Sequence, residues 1–231
     1  MLSKRILLGI SLLLTSYIQL ASADSAISYE MVAPHHMESM YPHIQKMRVD
    51  NYYHYPYLYA SKGIESENVL FYQQSHKTKM SVAKVDNQIV GIVIALPLVD
   101  FHCKNNGFSA KDQLVGPLGD SINRYYYISE ILLSHPENPS QEQEEIGKQL
   151  LTLIDKEVAA EKEFQHISML IVERARNHPL RPRLFIDETK MLSALGYKKT
   201  RYTTFIPWTT RVSEDKTEHQ NNPVRLWSKS V

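Results

Sequence analysis

Ser140–Val158, SQEQEEIGKQLLTLIDKEV, decides how the rest of the chain is organised. Ile146, Leu150, Leu153, Ile154 and Val158 recur at spacings of three and four, the stripe of an amphipathic helix. The opening of that helix has two possible uses. Ser140 and Gln143 form a Ser-x-x-Gln capping box, in which the hydroxyl takes the third-residue N–H and the glutamine reaches back. The second half of the stretch instead reads as a helix whose unpaired N–H groups and partial positive charge hold a phosphate. Glu142, Glu144 and Glu145 carry the wrong charge for the second use. Acidic residues in a first turn stabilise a helix by roughly 0.3–1 kcal/mol each. A carboxylate about 4 Å from a phosphate costs on the order of 4 kcal/mol at an effective dielectric of about 20.

Working outward, YYYISEILL (Tyr125–Leu133) precedes this helix and HISMLIVER (His166–Arg174) follows it, and both have strand composition. Strand, helix and strand at this spacing predict a parallel crossover. Upstream, KMSVAKVDNQIVGIVIALPL (Lys79–Leu98) predicts a β-hairpin turning at Asp86-Asn87, with Gly91 marking a bulge or a close backbone approach. A first strand is expected over Ile27–Val32. A helix is expected from about His35 to Tyr53, with Met40, Ile44, Met47 and Val49 apolar and Pro56 closing it. NVLFYQQS (Asn68–Ser75) is a further helix candidate, and Asp100–Arg124 has no clear pattern. Asp187–Tyr197 predicts a last helix with Gly196 as its C-cap residue. Thr200–Trp208 and Asn222–Ser230 predict closing strands around a polar stretch.

The 231 residues are 43% hydrophobic and 22% charged, enough for one domain with a substantial core. A net charge of +1 gives no electrostatic case for nucleic acid. Cys103 is the single cysteine, which excludes an intramolecular disulfide and a multi-cysteine metal site. The ten histidines show no HExxH spacing, so no metal is expected, and no GxSxG nucleophile motif is present. At the N-terminus, Lys4-Arg5, an apolar run from Ile6 to Leu14 and Ala21-Ser22-Ala23 have the pattern of a secretory signal peptide. The expectation is a signal peptide over 1–23, a single domain over 24–231, no later membrane span, and export from the bacterial cytoplasm to the periplasm or beyond. The oligomeric state is not legible in the sequence.

Three motifs add a family resemblance. YPYLYAS (Tyr55–Ser61) with VGIVIALPL (Val90–Leu98), NHPLRPRLF (Asn177–Phe185) with LSALGY (Leu192–Tyr197), and Trp208 with NPVRLW (Asn222–Trp227) occur in order. They resemble a bacterial subgroup of the GNAT acyl-CoA N-acyltransferases. The resemblance implies an α/β fold, a central mixed but mostly antiparallel sheet flanked by helices. It implies N-acetyl transfer from acetyl-CoA, without a metal, to a small-molecule or peptide amine. It places backbone groups at Leu132 and Leu133 along the donor's pantetheine arm. In the family's R/Q-x-x-G-x-G/A turn, Gly147 takes the final glycine position, flanked by Ile146 and Lys148. Glu145 and Glu142 replace the middle glycine and the Arg or Gln, and Gln143 is adjacent but out of register. Glu130, the one acid in its strand, is the implied general base. Tyr197 and Tyr202 are candidates for the acid that reprotonates the leaving thiolate. Tyr57 and Tyr59 would line the acceptor site. Arg174, Arg176, Arg181 and Arg183 form a basic loop that would meet a phosphate or an acidic acceptor, or simply be solvated. The departures at Glu142 and Glu145 leave a second possibility, an exported GNAT-fold protein that binds a partner without catalysis.

Overall fold

A computed structural model describes residues 26–60, 75–101, 110–136 and 140–231. The expected signal peptide over 1–23, most of the Asn68–Ser75 helix candidate and Cys103 lie outside the described residues. Seven strands form one sheet in the order β1-β2-β3-β4-β5-β7-β6. They are β1 (Ser28–Met31), β2 (Lys79–Val85), β3 (Gln88–Pro97), β4 (Tyr125–Leu133), β5 (His166–Val172), β6 (Lys198–Arg211) and β7 (Thr217–Ser230). Every neighbouring pair is antiparallel except β4–β5. Among the described residues the α-helices are α1 (Tyr41–Tyr53), α2 (Ala110–Leu118), α3 (Gln141–Ala160) and α4 (Glu188–Ala194).

The predicted hairpin forms because Asp86 and Asn87 both accept positive φ, 48° and 65°, as a two-residue turn between twisted strands requires. The register slips between Ala83 and Lys84, opposite Val90, so both expectations for Gly91 apply: it flanks a bulge and sits under a helix. A Cβ at Gly91 would lie 2.8 Å from Leu150 Cδ1 and 2.9 Å from Ile146 Cγ2. Gly91→Val is therefore expected to cost about 1–3 kcal/mol by overpacking. A denaturant midpoint equal to that of the parent would disprove the contact.

Alternation along the strands divides the core between the two sheet faces. Val82, Ile92, Ile94, Tyr127, Leu132 and Leu170 pack with Ile44 and Met47 of α1. Val93, Tyr126, Ile128, Leu133 and Ile167 pack with α3 through Ile146, Leu150, Ile154 and Val158. The first helix is shorter than expected. Residues 34–40 form two 3₁₀ turns, and the α-helix starts at Tyr41. Pro42 has no N–H to give and fits only a first turn, so the helix starts around it. The patternless Asp100–Arg124 stretch contains α2 and a 3₁₀ segment, Gly119–Arg124. The closing strands run longer than predicted, and β7 takes in the polar residues from Thr217. Their exposed face needs only backbone pairing to β6, as at Trp208↔Gln220 and Arg211↔Thr217.

Candidate active site

β4 and β5 pair over only three residues, Tyr125↔His166 to Tyr127↔Ser168. Both strands continue: β4 stays paired to β3 as far as Leu133, and β5 stays paired to β7 as far as Val172. The parting coincides with a bulge in β4. Glu130 lies opposite Ile94 and Ile128 opposite Ala95, which leaves Ser129 as the extra residue, its hydroxyl donating to Ile94 O at 3.2 Å. A bulge bends its strand and sharpens its twist, and here it turns β4 away from β5.

Glu130 follows the bulge and is buried. Arg48 of α1 lies against it, Nε to Oε1 at 3.2 Å, and the Tyr52 hydroxyl donates to Oε2. The Tyr52 ring meets Tyr57 edge-on at 4.7 Å between centroids. The Tyr57 hydroxyl donates to both oxygens of Glu188, at 3.0 and 3.2 Å. Burial, then the Glu188 charge, holds the Tyr57 hydroxyl well above its usual pKa. Glu188 is buried at the start of α4, and burial pushes its pKa up to about 7, with Asp187 and Glu130 adding repulsion. Arg48, Glu130, Tyr52, Tyr57 and Glu188 thus form one group of polar side chains from α1 across β4 to α4. Tyr59 supports it from behind, stacking on Trp208 at 5.3 Å. Arg174 fastens the Tyr57 segment by donating to Pro56 O and Tyr57 O, at 2.8 and 2.9 Å. A cleft of about 630 Å³ beside Glu188 is lined by Tyr55, Arg174, Arg176, Arg181 and Phe185, so the basic loop borders the same group.

Glu188 titrates in the folded state near pH 7, above its unfolded carboxylate value of about 4.3. The folded protein therefore holds the extra proton between these values. The stability it contributes is full below about pH 4.3 and is lost as pH rises through about 7. By pH 8 the loss is on the order of 3 kcal/mol. Glu188→Gln is expected to lack this loss, so its urea midpoint overtakes that of the parent across this window. Parallel stability–pH curves would contradict the assignment.

The other predicted residues have varied placements. Tyr197 is buried away from Glu130, its hydroxyl donating to Asp155 Oδ1 at 2.5 Å, with Lys229 on the other oxygen at 2.6 Å. Burial, then Asp155, pushes its hydroxyl pKa far up, and it serves the core. Tyr202 neighbours Tyr125, whose hydroxyl pKa is raised by burial and then by Tyr202, at the start of β4. That is five residues before Glu130, roughly 15 Å along a strand. The phenol on Glu130 is Tyr52.

Leu132 and Leu133 are buried on opposite faces of β4. The Leu133 N–H donates to Asn51 Oδ1 at 3.2 Å and its carbonyl accepts from Asn51 Nδ2 at 2.9 Å, so an α1 amide stands where another strand would pair. The capping box on α3 is complete: Gln143 N donates to Ser140 Oγ at 3.2 Å, and Ser140 N to Gln143 Oε1 at 2.8 Å. Gln143 Nε2 also donates to Ser134 O. Ile146 is a core residue, and Lys148 pairs with Glu145 at 3.5 Å. A Cβ on Gly147 would sit 2.6 Å from Met191 Sδ, so this glycine admits α4. Residues 142–147, the implied phosphate turn, are helical throughout. Between Tyr127 and the Asn51-covered Leu133, β4 has no β5 partner for an extended donor arm to compete with, whereas the α3 end does not fit a pyrophosphate.

Arg48, Asn51 and Glu188 are the site residues missed in the sequence. Arg48 and Asn51 follow Ile44 at i+4 and i+7, so two polar residues on an apolar stripe were the available signal. Glu188 looked like an ordinary first-turn acid.

No family model matches the sequence, and no curated protein matches it. The fold does match solved structures. A ribosomal-protein-alanine N-acetyltransferase from Brucella melitensis superposes with a TM-score of 0.52 at 12% identity, covering 88% of this chain and 99% of that one. A GNAT-family acetyltransferase from Streptococcus pneumoniae gives 0.51 at 10% identity, covering 89% and 100%. An aminoglycoside 6'-N-acetyltransferase from Enterococcus faecium gives 0.50 at 12%, covering 88% and 96%. The chain has the fold of the GNAT acetyltransferases.

Proposed function

We propose that the protein is an N-acyltransferase that moves an acyl group, acetyl in the first instance, from a thioester donor such as acetyl-CoA to an amine on a small molecule or peptide. The observation that carries this is the parting of β4 from β5 beside a bulge bearing a buried carboxylate. Beyond Tyr127, β4 is not paired to β5, so an amide-bearing chain can enter as a short added strand. The donor supplies an activated acyl carbonyl. An acceptor amine is protonated at neutral pH and must lose a proton before it attacks. Glu130 takes that proton directly or through water, with Arg48 compensating its charge and Tyr52 orienting it. As the C–N bond forms the thioester C–S bond breaks, and the thiolate leaves to take its proton from solvent. Tyr57 and Tyr59 shape the acceptor side.

Amine-dependent release of thiol from acetyl-CoA, followed across a panel of primary amines, tests this. Release with some amines and none without amine is expected. No release with any amine at saturating donor would sink it. A second function has its own observations: Asn51 covers Leu133 and α3 is self-capped, as in a GNAT-fold module that binds a partner without catalysis. It requires that no thioester arm binds at all. Either way the 1–23 segment marks the protein for export, and an intact mass retaining Met1 would contradict cleavage.

A further inference from the structure

We propose that the donor is held by its pantetheine-type arm and acyl group alone, so that an acyl-pantetheine thioester without a nucleotide is as good a ligand as acyl-CoA. This rests on the transferase function proposed above. Three observations support it, each at the end of α3 where the resemblance implies a pyrophosphate grip.

The first is the backbone. Because α3 begins at Gln141, the amides of Ile146 and Gly147 lie within the helix, where each N–H pairs with the carbonyl four residues back. Two of the first-turn donors are also used: Gln143 N binds Ser140 Oγ and Glu144 N donates to Ser140 O at 3.3 Å. The second is shape. The space a glycine leaves for close approach is filled at Gly147 by Met191. The third is charge. Glu142, Glu144 and Glu145 crowd this end, and Lys148 is paired with Glu145. The field of Glu142 and Glu145 reaches Tyr29 on β1, where it adds to burial in raising the hydroxyl pKa. A pyrophosphate brings further negative charge into that field, whereas a pantetheine arm is neutral. At the parted strands the complementary features remain: β4 beyond Tyr127 is not paired to β5, and the bulge sets Glu130 beside the gap.

Calorimetric titration of the chain from Asp24 with coenzyme A and with pantetheine, both as free thiols and at low and physiological salt, tests this. The two dissociation constants are expected to agree within about threefold, with that of coenzyme A insensitive to salt. Coenzyme A binding about tenfold or more tightly, with affinity falling as salt rises, overturns the inference and leaves the transferase function standing. If neither thiol binds at millimolar concentration, the parted strands are not a donor site, and the transferase function falls with the inference.

Discussion

Arg48→Met is expected to lower the stability of the folded protein by about 3–5 kcal/mol at neutral pH. For a chain of this length that lowers Tm by on the order of 10 °C. Glu130 is 2% exposed, and Arg48 Nε lies 3.2 Å from its carboxylate. The variant keeps most of the volume of the arginine stem but removes the cation that lies against a buried carboxylate, which still accepts from the Tyr52 hydroxyl. Removing one member of a buried pair costs far more than removing both, because the remaining charge stays desolvated. The double variant Arg48→Met/Glu130→Gln should therefore recover most of the loss, since a glutamine oxygen still accepts from Tyr52. Chemical denaturation of the parent, both single variants and the double variant closes this cycle. If the double variant is as unstable as Arg48→Met alone, the loss comes from packing on α1 and not from the stranded charge.

Glu130→Gln tests the chemistry, with turnover read on protein shown by denaturation to be folded under the assay conditions. It keeps shape and a hydrogen-bond acceptor but removes the proton acceptor from the parted strands, so kcat/KM for amine acylation should fall by about 10²–10⁴-fold. The fall should shrink as pH rises and the free amine becomes abundant, because the base is needed least when the acceptor is already deprotonated. Unchanged turnover across pH on an accepted amine would remove Glu130 from the mechanism, and Glu188, on the far side of Tyr57, would then be the carboxylate to examine.

Local chemistry made much of the fold legible. Asp86-Asn87 announced a turn that needs two positive φ values, and both residues adopt them. Ser140 and Gln143 announced a capping box, and both of its hydrogen bonds form. Where one residue overrules a pattern, the boundaries shifted: Pro42 delays α1, and α2 hid in a segment where Leu114 is the deeply buried apolar residue. The site was harder to foresee because it depends on register. The parting of β4 from β5 follows a bulge at Ser129, and nothing in Ile128-Ser129-Glu130 signals an extra residue. Glu130 stood out as the single acid in its strand, but its partners Arg48 and Tyr52 come from α1, which only the folded sheet brings to it. The resemblance named Tyr197 and Tyr202 as acids; the structure places Tyr52 on Glu130 and commits Tyr197 to Asp155.

The most direct test of the central claim is where a donor sits. Backbone amide chemical shifts of the protein should be followed as acetyl-CoA is added. Shifts concentrated at Glu130–Leu133 on β4 and Met169–Val172 on β5 are the predicted result, because those stretches flank the gap. Shifts confined to the first turn of α3, or to the Arg176–Arg181 cleft with β4 silent, would contradict it.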